Sequence, residues 1–287
     1  MRILLALDNQ SYSAGIIPEV AKLAANTWAD ITMLGIQSTN ASAGLDQALA
    51  ATMLAHKSSF LAQFTGKDSP YASPAGKEVF SPDNGGWQVG AAPDSSKALN
   101  LKVRAGSAIK EIMAEADQQG CDLIILGCSN GADCQWHGET LNLPQKIAKD
   151  AGCSVLVIKE QRPTKKIISC LDQSEIQQES LELINQIVTL HDADLKIVGL
   201  TGPKGLKKKE DTEKQMAEIQ KYYTDRQINA WIKLVEKEGL EAYIAKASNE
   251  GMIALWMGKK SMLGKMFSSN LIEKLVANSQ SSVLILR

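Results

Sequence analysis

Long apolar runs are missing from this chain. The opening Met-Arg-Ile-Leu-Leu-Ala-Leu meets an acid at Asp8, too soon for a secretory leader, and nothing approaches the ~18 apolar residues of a membrane helix. A soluble, cytoplasmic protein without membrane insertion is expected. Cysteine is sparse: Cys121, Cys128, Cys134, Cys153 and Cys170 make an odd set of five. Lacking framework spacing, they argue against a disulfide scaffold and fit reduced thiols in a reducing compartment. Of the three histidines, His56 and His191 sit in helical surroundings without a paired Asp and Ser, so no nucleophilic triad is suggested. Paired catalytic carboxylates and a Walker-type Gly-Lys-Ser run are absent too. Neither charge dominates, since 31 Lys and Arg face 32 Asp and Glu for a net charge of −1. Basic residues do crowd the second half, 19 of the 31 lying after residue 160. Their densest cluster, Lys207 to Lys209, runs at once into Glu210 and Asp211. That is the pattern of a solvated helix start, not of a nucleic-acid-binding stripe.

What the chain does have is repetition. RILLALDNQ (2–10) recurs as KIISCLDQS (166–174), and AGCSVLVIK (151–159) recurs as SQSSVLILR (279–287). Asp8 and Asp172 are 164 positions apart but Val155 and Val283 only 128, so the second copy is about 36 residues shorter. The first copy alternates strand and helix. Strands are expected at Ile3–Leu7, Ile31–Ile36, Leu101–Val103, Leu123–Leu126 and Val155–Ile158. Helices are expected near Ile16–Asn26, Leu45–Phe64, Ala108–Gln119 and Pro144–Asp150. The strands are apolar on both sides of the pleat, as buried parallel strands are. In AIKEIMAEADQQG, the residues Ile109, Ile112, Met113 and Ala116 share one helix face, and Gly120 is a stop signal. The alternation predicts an open α/β sheet with right-handed crossovers and a ligand crevice at the carboxyl ends of its strands.

Between about 65 and 100 the pattern lapses into a Gly-, Pro-, Ser- and Asp-rich insertion. A mobile loop or a minor hairpin (EVF with WQV) is expected there, the alternative being a lid or partner-binding role for Phe80 and Trp87. The second copy starts regularly, with a strand over Ile167–Leu171, a helix near Gln177–Thr189 and a strand over Leu195–Leu200. A long charged helix over about Asp211–Glu238 is expected next. EAYIAKASNEGMIALWMGKK then joins two strand-like runs with only a few residues between them. On this reading the third helix of the second copy is lost. Its loss and the insertion together make up the length difference.

ILLALDNQSYSAGIIPEVAKLA, VRAGSAIKEIMAEADQQGCDLIILG and IAKDAGCSVLVIK closely resemble the universal stress protein family. The resemblance covers the first copy outside the insertion and both ends of the second. It implies a tandem member: domain 1 over 1–160 and a shortened domain 2 over 165–287. Each would be a Rossmann-like (adenine nucleotide alpha hydrolase-like) domain with an open, mostly parallel five-stranded sheet of order 3-2-1-4-5 and flanking helices. Pairing within the chain, or between chains as a homodimer, is also implied.

Family members that bind ATP carry an Asp at the end of the first strand. After the fourth strand they have a loop of Gly, two residues, Gly, nine residues, Gly and Ser or Thr. Glycines let main-chain N–H groups reach phosphate oxygens, and a helix N-terminus follows. Asp8 and Asp172 match the Asp, although an acid there can equally cap the next turn. In the first loop Gly127 leads, Gly131 is displaced by one, and Leu141-Asn142 stand where Gly-Ser belongs. Pro144 removes one N–H from the anion-facing end, and Asp133 and Glu139 repel phosphate. The first site is therefore read as degenerate. The second loop, GKKSMLGKMFSSN, departs less, with Gly258, Ser261, Gly264, Ser268 and Ser269 near the expected places and Lys259, Lys260 and Lys265 adding positive charge.

Cys128, Cys134 and His137 lie close together in the first loop and could be a zinc or redox site. A four-coordinate site needs a fourth ligand, for which Asp133 could serve, but the usual Cys-x-x-Cys knuckle is absent, which favours incidental cysteines. The resemblance implies a non-catalytic stress-response binding protein. Its second domain could hold ATP or AMP (with Mg if ATP) through Asp172 and the second loop. The rivals are a weak ATP hydrolase and a pure interaction module that takes no nucleotide.

Overall fold

The computed structural model describes residues 1–38, 44–64, 69–72, 76, 78–92, 94–129, 142–159, 163–171, 177–201, 209–257 and 270–287. The chain divides into two compact units, with the main boundary between Glu160 and Gln161. Each unit has a mostly parallel sheet flanked by helices, the α/β class that the alternating pattern predicts. No helix among the described residues is long and apolar enough to cross a membrane.

The strands of the first unit are β1 (Arg2–Leu7), β2 (Asp30–Gln37), β3 (Ser81–Asp83), β4 (Gly86–Val89), β5 (Leu99–Ala105), β6 (Leu123–Cys128) and β7 (Ser154–Lys159). They lie in the order β7-β6-β1-β2-β5-β4-β3. The five long ones are parallel, and the β3–β4 hairpin is added antiparallel to the β5 edge. The helices are α1 (Ser11–Gly15), α2 (Ile17–Thr27), α3 (Gln47–Leu61), α4 (Ala108–Gln119) and α5 (Leu143–Asp150). Ile3 to Leu7, Leu123 to Leu126 and Val155 to Ile158 are all buried, as strands covered on both faces must be. Asp46 caps α3 by accepting from Ala48 N at 2.9 Å and Leu49 N at 3.1 Å, which satisfies two of the donors a helix start leaves free.

One surface of α4 departs from the apolar pattern. Glu115 is 2% exposed and accepts from Lys102 Nζ at 2.6 Å, from Arg104 Nε at 3.1 Å and from Gln119 Nε2. Thr32 Oγ1 donates onward to Gln119 Oε1 at 2.9 Å. Arg104 also holds Asp83 of the hairpin at 2.9 Å. An ionic layer thus fastens α4 to the sheet and the hairpin to its edge.

The insertion is tied down where it is described. Tyr71 packs edge-on against Phe60 and Phe64 with centroids 5.1 and 5.0 Å away, and its hydroxyl donates to Ala29 O at 2.5 Å. Lys57, 2% exposed, pairs with Glu78. The hairpin uses Ser81–Asp83 in place of the expected EVF run, with Asn84-Gly85 as its link. Gly86 is required, since a Cβ there would lie 2.2 Å from Val103 O. Trp87 pairs opposite Val103 of β5, so two strands, β5 and β2, separate its own strand from β1.

The second unit has β8 (Lys166–Cys170), β9 (Asp194–Thr201), β10 (Ala230–Glu236), β11 (Met252–Trp256) and β12 (Val283–Leu286), in the order β10-β9-β8-β11-β12. All of its pairings are parallel. Its helices are α6 (Gln178–His191), α7 (Lys209–Thr224), α8 (Leu240–Ala247) and α9 (Asn270–Asn278).

The expected loss of the third helix is overturned, because α8 occupies that place. EAYIA, read as a strand, belongs to a helix whose Leu240, Ile244 and Ala247 form one buried stripe at i, i+4 and i+7. The long charged helix stops at Thr224, and a turn with Gln227 at φ 63 leads into β10. Lys233 and Glu236 are exposed on β10, whose one strand neighbour among the described residues is β9. Such an edge strand carries too much charge to look buried. The insertion therefore carries nearly all of the length difference. It falls in the 61 residues between Gln37 and Leu99, against 28 between Thr201 and Ala230, whereas the third-helix links differ by two, 17 against 15.

Candidate functional site

In an open α/β sheet the ligand crevice lies at the carboxyl ends of the strands, where the connections change direction. In the first unit that point is between β1 and β6, which pair side by side with Ala6 opposite Leu126. Asp8 follows β1 directly and Gly127 lies in β6, so the fold brings these two predicted residues to the same crevice.

Asp8 is the hub of a closed hydrogen-bond set. Its carboxylate accepts from Ser13 Oγ at 2.6 Å and Gln10 N at 3.0 Å on Oδ1, and from the Tyr12 hydroxyl on Oδ2. Its main-chain N–H donates to Ser13 Oγ at 3.1 Å, and its carbonyl accepts from His56 Nε2 at 3.0 Å. The side chain is 9% exposed, with Tyr12 at 5%, Ser13 at 0% and His56 at 6%. Of the two roles open to Asp8, the structure displays the cap: the acid orders the turn into α1. The Asp, Ser and His do not form a triad, because Ser13 gives its proton to the carboxylate and His56 meets a carbonyl, not the hydroxyl.

Gly127 is buried, and a Cβ there would meet Tyr12 O at 3.0 Å, Tyr12 Cδ2 at 3.2 Å and Ile16 Cδ1 at 3.3 Å. In the described residues this glycine lets α1 close onto β6. Asn142 precedes α5 with φ 75 and makes no side-chain cap, and Pro144 in the first turn lacks the N–H that another residue would present there. Beside it in the sheet, Lys159 pairs in register with Cys128. It is 1% exposed, and burial pushes its ammonium pKa down to about 8.

Gly131 and the second-unit residues Asp172, Gly258, Ser261, Gly264, Ser268 and Ser269 lie outside the described residues, as do Cys134 and His137. Among the described residues no group of His, Cys, Asp and Glu could hold a metal ion. Cys128 is disulfide-bonded, while Cys121, Cys153 and Cys170 are free. This corrects the expectation of five reduced thiols, since missing framework spacing speaks against a scaffold of several bridges but not against a single one. Sequence reasoning passed over Tyr12 and Ser13, and set His56 aside for want of a paired Asp and Ser. The first two could have been found by asking which donors satisfy a carboxylate buried at a strand end; His56, 48 positions away, left no local signal.

The universal stress protein family model matches residues 1–159. Among solved structures, a universal stress protein from Archaeoglobus fulgidus DSM 4304 is similar at 12% identity and a TM-score of 0.58, covering 100% of this chain and 96% of that one. A functionally unknown protein from Pseudomonas aeruginosa PAO1 is similar at 17% identity and a TM-score of 0.56, covering 99% and 92%. At such identities the likeness is one of fold. No curated protein matches the sequence. The family model spans more than half of the residues, on strands and helices that carry the family's sequence pattern, and the chain belongs to the universal stress protein family.

Proposed function

We propose that the chain is a tandem universal stress protein, a non-catalytic binding protein of the stress response, with domains over 1–160 and 165–287. One observation carries this reading. Numbered within its own unit, β10-β9-β8-β11-β12 runs 3-2-1-4-5, and the five parallel strands of the first unit run the same way. Full-length similarity to a solved universal stress protein chain supports the fold of both halves.

In this reading the second domain holds an adenine nucleotide, ATP or AMP (with Mg if ATP), through Asp172, Gly258, Ser261, Gly264, Ser268 and Ser269. Asp172 and Gly258 follow closely on β8 and β11, which pair side by side with Leu255 opposite Cys170. The first domain is degenerate, its strand-end carboxylate already spent on its own helix. Homodimerisation is part of the same proposal and is checked by sedimentation.

The decisive experiment recovers nucleotide from the purified chain and measures ATP affinity for wild type and a Gly258→Val, Ser269→Ala variant. Micromolar binding lost in the variant is expected. Absence of bound nucleotide together with no affinity below millimolar overturns the reading. Steady phosphate release abolished by Asp172→Ala would replace it with a hydrolase.

A further inference from the structure

We propose that Tyr12 is a built-in occupant of the first unit's crevice, a side chain that takes a ligand's place on Asp8 and keeps the crevice shut. The proposal deepens the reading of this unit as a degenerate nucleotide site and rests on it. Tyr12 stands just after β1, where the fold opens its ligand crevice, yet it is only 5% exposed. Its hydroxyl donates to Asp8 Oδ2, the oxygen left over once Ser13 Oγ and Gln10 N have taken Oδ1. Its ring edge lies over Gly127, within 3.2 Å of where a Cβ would stand. The crevice residue with the barest main chain is thereby covered.

The two contacts describe what the site selects: a planar apolar ring, with a hydrogen-bond donor on its edge, seated between a carboxylate and a glycine. Free phenol has that chemistry, and so does the amino edge of adenine. Cutting the ring back leaves one buried carboxylate oxygen without its donor beside an apolar gap. Both are unfavourable, and both are relieved by a ligand of this class. Apolar gaps made by truncating a core side chain take up small aromatic molecules, and here Asp8 Oδ2 adds an acceptor for a donor on the ring edge.

The test uses the full chain with Tyr12→Ala, and with Tyr12→Leu should the alanine variant fail to fold by circular dichroism. Phenol at ten times its Kd is expected to raise the melting temperature of the variant by roughly 3–6 °C and to leave wild type unchanged. A folded variant that phenol does not stabilise, or a wild type stabilised equally, overturns the occupant role. The nucleotide reading is scored separately on the same proteins by photolabelling with 8-azido-ATP, counted for peptides of 1–159 and of 161–287. Labelling of 1–159 at least tenfold above wild type in Tyr12→Ala, with none in the ring-retaining Tyr12→Phe, supports Tyr12 as the barrier to nucleotide. Phenol stabilisation without labelling of either unit leaves the occupant role standing and refutes the nucleotide reading.

Discussion

Removing the Glu115 carboxylate tests whether charge, not helix periodicity alone, fixes α4 to the sheet. Glu115→Ala takes the shared partner from Lys102 Nζ at 2.6 Å and Arg104 Nε at 3.1 Å. Breaking a buried ion pair from one side costs about 3–5 kcal/mol. Arg104 keeps Asp83 at 2.9 Å, and Lys102 retains 15% exposure and can reach water, so about 3 kcal/mol is expected, at the low end. For a protein of this size that is a fall of roughly 6–12 °C in melting temperature. Glu115→Gln keeps the shape and should lose about half as much.

The pH dependence follows from the direction of the Glu115 shift. Burial raises the carboxyl pKa, but Lys102 and then Arg104 outweigh it and hold the group below its ordinary value. A depressed folded pKa contributes stability that is present above the unfolded value of about 4.3 and is lost as pH falls through the folded one. Urea unfolding followed by circular dichroism should therefore show the full penalty at pH 7 and a shrinking one below about pH 4. A penalty under about 0.5 kcal/mol at neutral pH, or one as large in acid as at pH 7, would refute the ionic account.

Two further outcomes are expected. Gly127→Ala sets a Cβ 3.0 Å from the Tyr12 carbonyl oxygen and should cost about 1–3 kcal/mol by overpacking; an unchanged urea midpoint would show that α1 does not need that approach. Lys159, with its folded pKa pushed down to about 8 by burial, leaves the unfolded chain binding more protons from there up to about 10.4. The stability of wild type relative to Lys159→Met should therefore rise across that window, whatever the buried thiols Cys121 and Cys170 take from both proteins alike as pH rises, measured by chemical denaturation at stepped pH.

What the sequence disclosed follows from where each residue faces. Ile3 to Leu7 are buried on both sides of β1, and a run without polar interruption announces such a strand. Strand β10 was hidden for the opposite reason. Its exposed Lys233 and Glu236 continue the polar texture of α7, and its single neighbour among the described residues leaves one edge wet. Glu115 falls outside the apolar face that Ile109, Ile112, Met113 and Ala116 mark in the sequence, because helix periodicity sees polarity but not the cations that Lys102 and Arg104 bring from β5. Asp8 could be placed at a crevice from its strand-end position, yet its occupation could not. Tyr12 and Ser13 reach it through a local turn whose geometry composition does not reveal, and His56 arrives from α3.

These contacts bear on how, in the proposed reading, the first unit keeps the family fold without holding a nucleotide. A carboxylate at the mouth of a crevice is costly when its partners are missing, so a site evolved around a ligand is partly unsatisfied until the ligand arrives. In the first unit Asp8 has donors on both oxygens from Gln10, Tyr12 and Ser13, all within five residues of it. The carboxylate is then already satisfied by its own chain. An incoming base would have to displace the Tyr12 hydroxyl and lift its ring from Gly127 before making any contact of its own. Affinity is the difference between the contacts made and the contacts given up, and a crevice that supplies its own occupant raises the second quantity without changing the fold.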